Sequence, residues 1–434
     1  MTRPGPHRRL LAFALVAICL ALPARAAAQV PQLPDVYPQA ADIPPPPPAL
    51  GPAPGVPPVP GQDPTPRRPR GCVPSPLPQG VPGVDARGAD PASPNPLRGL
   101  RWYVDPLEHA FESYRLYVRR GRTHDAELMW QIARQPRFKW FGRWTRPNVR
   151  KKVREYLTCV AAVQPGAVPL MLVMRHQGKR CGADYKAGGR AEDRRTRRWY
   201  DNFAAGLGDA RVILAFEPDS LGTVDCLARS RRKSRLDNMR YGIDVLSRKP
   251  NVTIYIEAGA SDWESAARTA KQLRYVGIRK VRGFMLNVTH YDWTADNIRH
   301  GLDISRRVGG KHFIISTAFN GRGPVHVRKW IDRGRHMWRT LNVWCHPLLR
   351  GHGPVPSTAT ANPLVDAYMW IGRPGYSGGA CNGGPLPIGT WWPDRALMFA
   401  KYGTEWLGPP RGTTNGHFRR YPLHSLGFCG ERCT

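Results

Sequence analysis

The chain has 434 residues, with 65 lysines and arginines against 32 aspartates and glutamates, and a formal net charge of +33. Its length admits one large core or two domains, and its charge attracts polyanions, whether nucleic acid or anionic envelope polymers. No zinc-finger spacing, glycine-rich single-strand module or basic zipper accompanies the basic residues, so specific nucleic-acid recognition is weakly supported, a general nucleic-acid binder rests on charge alone, and non-specific attraction to anionic polymers is expected.

Residues 1–28 read as a secretory signal peptide: Arg3, Arg8 and Arg9, an apolar run from Leu10 to Leu22, then the small residues Ala24-Arg25-Ala26-Ala27-Ala28. No later stretch is apolar and long enough for a membrane span, so the expected location is secreted or extracellular, with envelope association suggested by the charge. Residues 29–94 are rich in proline, glycine and alanine, including Pro45-Pro46-Pro47-Pro48, and read as a disordered, polyproline-like linker. Residues 95–410 carry the periodicity of one folded domain, and 411–434 form a cysteine-containing tail. Once Cys19 leaves with the signal, Cys72, Cys159, Cys181, Cys226, Cys345, Cys381, Cys429 and Cys433 remain, an even set in an exported chain. Disulfides are expected, and their pairing stays open. No tight Cys-x-x-Cys pair supports zinc, so no metal and no cofactor are expected.

Within the domain, Tyr103-Val104-Asp105-Pro106 ends a short strand, and helical patterning follows over Glu108–Arg120 and Ala126–Arg134. Pro169–Met174 reads as the next strand. A helix starting near Glu192 carries Trp199, Tyr200 and Phe203 on one side, and the arginine knot Arg194-Arg195-Thr196-Arg197-Arg198 on its solvated surface. Strands then alternate with helices: Val212–Phe216, Ser234–Leu246, Val252–Ile256, Trp263–Gln272, Gly283–Leu286, Thr294–Arg307, His312–Ile315 and finally the strand Val365–Ile371. That alternation predicts an α/β fold, a parallel sheet closed or nearly closed into a barrel. The strand ends would set Glu217, Asp219, Glu257, Asn287 and Ser316 along one rim, where such folds place their chemistry. The segment Cys345–Trp392, rich in glycine and proline, reads as a wall on that rim.

The run Arg211-Val212-Ile213-Leu214-Ala215-Phe216-Glu217-Pro218-Asp219-Ser220-Leu221 is the centre of this pattern, a buried strand ending in two carboxylates. Those carboxylates read either as helix caps and arginine partners or as chemistry at a strand end. Asn95-Pro96-Leu97, Glu257-Ala258-Gly259 with Trp263, Leu286-Asn287-Val288, Asn320-Gly321, Trp344-Cys345, Asp366-Ala367-Tyr368-Met369-Trp370 and Asn382-Gly383-Gly384-Pro385 accompany it in order.

With these motifs the chain resembles glycoside hydrolase family 6, the inverting cellulases, from Asn95 to about Tyr402. The resemblance implies a distorted (β/α) barrel with a loop-covered cleft, smaller than the eight-stranded kind. It implies hydrolysis of β-1,4-glucan with inversion, a β-linked polysaccharide as partner, and a monomer as the working form. It makes Asp219 the general acid, a role that needs a protonated carboxyl beside the glycosidic oxygen. It implies the disulfides Cys181–Cys226 and Cys345–Cys381. It places Trp140, Trp263 and Trp344 along the cleft, where an indole face can stack on a pyranose ring, although core packing explains any one of them as well. Asn287 joins them as a substrate-binding candidate.

Departures fall on the catalytic machinery. Arg180 stands where the family pattern has an aspartate that tunes the acid, Met174 replaces its tyrosine, Lys186 a serine that helps hold water, and Gly378 a further aspartate. An arginine beside Asp219 would lower its pKa, the wrong direction for an acid. Asp184, Glu257 and Asp262 are the carboxylates available to compensate, and each also reads as an ordinary structural or surface residue. The alternative to a hydrolase is therefore a catalytically impaired relative that binds glycan or an anionic envelope polymer.

Overall fold

The computed structural model describes residues 94–145, 148–176, 189–331, 337–342, 344–408 and 417–418. The expected signal segment, the linker before residue 94 and most of the tail lie outside the described residues, as do Arg180, Cys181, Asp184 and Lys186.

Seven parallel strands form the main sheet: β1 (Lys139–Gly142), β2 (Leu170–Met174), β3 (Val212–Phe216), β4 (Val252–Glu257), β5 (Gly283–Leu286), β6 (His312–Ser316) and β9 (Val365–Met369), in that spatial order. A small second sheet pairs β7 (Val325–Ile331) antiparallel with β8 (Met337–Asn342) and parallel with β10 (His417–Phe418). Helices α1 (His109–Arg119), α2 (Thr123–Ala133), α3 (Val149–Val163), α4 (Arg190–Leu207), α5 (Arg229–Leu246), α6 (Ala266–Val276), α7 (Thr294–Arg307) and α8 (Pro393–Lys401) surround the main sheet.

The main sheet curls into the expected distorted (β/α) barrel. Among the described residues its two edges meet through a single bridge, Arg137 to Trp370, in place of a full ladder. The indole Nε1 of Trp140 adds a bond across the same seam, donating to the Ile371 carbonyl at 3.1 Å. Alternation along the strands divides the core. Leu170, Leu172, Ile213, Ala215, Tyr255, Met285, Ile314, Ala367 and Met369 share one buried cluster inside the curl. Their neighbours Met171, Val173, Leu214, Ile256, Phe284 and Phe313 are also fully buried, which is why each strand reads as an unbroken apolar run. At Gly283 a side chain is impossible: a Cβ there would lie 1.7 Å from the His312 carbonyl oxygen of the next strand.

Most elements fall where the periodicity puts them, with α7 spanning the predicted Thr294–Arg307. The arginine knot of α4 is solvated, with Arg194, Arg195, Arg197 and Arg198 exposed while Thr196, Tyr200 and Phe203 are buried. Four differences stand out. The segment ending at Tyr103-Val104-Asp105 is not a strand; only Trp102 makes an isolated bridge, to Val168. Trp263 precedes its helix, which begins at Ala266. Strand β1 and helix α3 are additional: β1 is four residues long, and α3 buries only Val149, Val153 and Val160 among its basic residues. The β7–β8 hairpin is also additional.

Candidate active site

The parallel strands all deliver their carboxyl ends to one rim. Phe216 pairs with Ile256, Glu257 with Met285, Leu286 with Ile315 and Ser316 with Met369. The predicted rim set of Glu217, Asp219, Glu257, Asn287 and Ser316 therefore sits on consecutive strands. Three of these residues, Glu217, Asp219 and Asn287, have positive φ values of 58°, 63° and 66°. Non-glycine residues occupy that region only when their surroundings hold them there, and such positions concentrate at functional sites.

Two of the carboxylates are fully committed. Glu217 has no exposed surface; it accepts from the backbone N–H of Arg175 at 2.8 Å and of His176 at 2.9 Å, and from the Tyr200 hydroxyl at 2.7 Å and the Ser220 hydroxyl at 3.2 Å. It ties the end of β2 to the end of β3. Glu257 is 2% exposed, with one oxygen accepting from Leu221 N–H and the other from Gly259 N–H, both at 2.7 Å. Burial first, then the neighbouring charge of Asp219, pushes its pKa up to about 8 against those two bonds.

Asp219 differs. It is partly exposed, and one oxygen accepts from the Thr289 hydroxyl at 2.7 Å. Its other oxygen has no hydrogen bond among the described residues, and no guanidinium pairs with it there. Burial raises its pKa above the ordinary aspartate value, opposed by the Thr289 bond and the charge of His290. The neighbouring Glu257 is the carboxyl whose proton the charge of Asp219 helps to hold.

The remaining sequence candidates fall into distinct settings. Asp262 is held by His290, Oδ1 to Nδ1 at 2.7 Å. Trp263 stacks on His290 with centroids 4.7 Å apart, and Trp344 lies 4.9 Å from the same imidazole. Trp140 sits at the barrel seam, partly buried against the core cluster. Asn287 is 1% exposed, and its amide donates to the carbonyls of Asp292 and Ser316, so it braces the rim. Met174 ends β2 packed against the core cluster, and Gly378 is exposed, its N–H donating to His346 Nε2 at 2.7 Å. The disulfide Cys345–Cys381 is formed, which removes the one grouping of metal-ligand type among the described residues, Cys345, His346 and Cys381. Cys226 is disulfide-bonded, while its expected partner Cys181 lies outside the described residues.

Sequence reasoning passed over Thr289, His290 and Glu108. Thr289 and His290 follow directly from the β5 end and were legible only as continuations of the rim. Glu108 is buried, accepts a hydrogen bond from the Tyr376 hydroxyl, and lies 3.6 Å from Arg137 and 3.7 Å from Arg373. Burial works against its charge, but the two arginines hold its carboxyl well below the usual range. It is a fixed anion beside the seam.

The family model described as glycosyl hydrolases family 6 matches residues 97–402, the span that builds this barrel and rim. The chain belongs to glycosyl hydrolases family 6. It is 34% identical over 311 residues to Endoglucanase A of Cellulomonas fimi, covering 71% of this chain and 62% of that protein. With Endoglucanase A of Thermobispora bispora it shares 29% over 304 residues, 69% of this chain and 61% of that protein. It thus spans less than two thirds of the length of these curated relatives. Among solved structures, the endoglucanase Cel6 from Mycobacterium tuberculosis, in complex with methyl-cellobiosyl-4-deoxy-4-thio-β-D-cellobioside, superposes with a TM-score of 0.60 at 33% identity, covering 71% of this chain and 99% of that one. Endoglucanase CEL6B from Humicola insolens, at 19% identity and a TM-score of 0.58 over 72% of this chain, shares the family 6 fold. Among the described residues, no helix is long and apolar enough to cross a membrane.

Proposed function

We propose that this family 6 chain is an exported O-glycosyl hydrolase that cleaves β-1,4-glucan with inversion, and that Asp219 is its general acid. The setting of Asp219 carries the reading. Its carboxyl stands at the end of a central strand, held on one oxygen by Thr289 with the other oxygen unengaged among the described residues. Burial favours its protonated form. A protonated carboxyl so placed can give its proton to a glycosidic oxygen while water attacks the opposite face of the sugar. The bound thio-linked cellobioside in the Mycobacterium tuberculosis relative supports a cellulose-type substrate. Trp263 and Trp344, on loops of the same rim, are the side chains that would meet the sugar, and export rests on the amino-terminal signal pattern.

Gly378 and Met174 offer neither charge nor hydroxyl where the family pattern has them, so the base falls to another carboxylate, with Asp184 and Asp262 as the sequence candidates. The same observation favours the alternative of a glycan-binding relative with impaired turnover. Soluble cello-oligosaccharides followed by proton NMR from the first seconds separate the two. Initial release of the α-anomer is expected, the β-anomer would refute inversion, and binding without any new reducing ends would favour the impaired relative.

A further inference from the structure

Thr289 binds the Asp219 carboxyl, and the next residue, His290, occupies a built setting of its own. It is 4% exposed. Its Nδ1 is fixed by Asp262 at 2.7 Å, its ring is stacked on Trp263 at an interplanar angle of 14°, and Trp344 closes a further side at 35°. Nε2 has no hydrogen-bond partner among the described residues. The charged groups facing the imidazole come from three loops: Asp262 after β4, Asp219 after β3, and Asp292 on its own loop after β5. The charge of Asp219 also acts on Glu257, and that of Asp262 on His300 of α7.

We propose that His290, fixed by Asp262, is a positioning residue for the reaction, the cationic partner that stabilises the carboxylate left when Asp219 gives up its proton. The inference rests on reading Asp219 as the acid. When that proton passes to the glycosidic oxygen, the partly buried site holds a new anion next to Glu257, and no arginine pairs with it among the described residues. Among the described residues the His290 imidazolium is the cation that acts on Asp219, and its value rises in a site screened from water. Desolvation works against a charged imidazole, but the surrounding carboxylates, Asp262 first, lift the His290 pKa above its usual value. The coupling is reciprocal: His290 draws the Asp219 pKa down by as much as Asp219 draws the His290 pKa up.

The pH–rate profile and the histidine titration read the two sides of this coupling. Rate falls on the alkaline side as Asp219 loses its proton, so His290→Asn, which removes the cation, is expected to move that limb upward by about one pH unit. The same variant is expected to lower kcat about tenfold, within the scale of a removed transition-state charge partner. Asp262→Asn is expected to move the limb the same way by less. In NMR titrations of the full chain, Asp219→Asn is expected to lower the His290 pKa relative to wild type. A His290 pKa unchanged by Asp219→Asn, or a limb left in place by His290→Asn while only KM rises, would overturn the proposal and leave His290 as packing for the tryptophans. The titration needs no turnover, so a chain that cleaves no glucan would remove the hydrolase reading, and the role in the reaction with it, while the coupling of His290 to Asp219 is still read. If His290→Asn does not fold, the Asp262 and Asp219 variants supply both measurements.

Discussion

At the scale of single residues, the site turns on which carboxyl keeps a proton. Glu257 has its pKa pushed from 4.5 up to about 8, chiefly by burial and then by Asp219. A pKa raised in the folded state means the native chain holds that proton more tightly than the unfolded one. Stability from this group is complete below about pH 4.5 and is lost as pH rises toward 8. Glu257→Gln should flatten that decline, so the melting temperature of the variant should fall less than that of wild type between pH 5 and pH 8. Parallel curves would show that Glu257 is ionised throughout. Asp219 was legible in the sequence because an apolar run stops at Glu217-Pro218-Asp219. Thr289 and His290 were not, because their importance comes from a neighbouring loop that only the closed rim brings within reach.

At the scale of elements, buried polar links between non-adjacent strands hold the curl of the barrel. Asp366 in β9 has no exposed surface and accepts from the Tyr255 hydroxyl of β4 at 2.6 Å and from Arg282, just before β5, at 2.8 Å. Burial opposes its charge, yet the Arg282 bonds hold its pKa below the ordinary aspartate value. Asp366→Ala strands a buried hydroxyl and a partly exposed guanidinium, and should cost about 1–3 kcal/mol in denaturant unfolding. A loss under about 1 kcal/mol, the scale of an exposed pair, would contradict this role. Strands buried on both faces announce themselves as apolar runs, so β2 to β6 and β9 could be read directly. Strand β1 could not: Lys139-Trp140-Phe141-Gly142 is short and half-buried, and it is a strand only because β2 supplies its partner. Helix α3 hid for a related reason, its few buried valines spread among lysines and arginines, although Asn148 caps it by accepting from Lys151 N–H at 3.2 Å.

At the scale of the whole molecule, a strongly basic surface surrounds a site built from carboxylates. The charge of +33 is carried by residues such as the exposed arginines of α4. Attraction to anionic polymers should therefore be a surface property, screened by salt over a Debye length of about 8 Å at physiological ionic strength. Retention on an anionic polymer is expected to vanish at high salt while hydrolysis of a neutral glucan changes little. Parallel loss of both would place the charge inside the reaction. The family and its barrel were readable from the order of motifs along the chain. The consequence of the departures expected at Gly378 and Met174 was not legible, because compensation depends on how Asp262, His290 and Glu257 meet in space.

The account depends on the proton of Asp219, and the rate of reducing-end release from β-1,4-glucan by wild type and by Asp219→Asn tests it most directly. Removing a positioned acid is expected to cost about 10²–10⁴-fold in rate with substrate binding retained. Equal release by the two proteins would contradict the account.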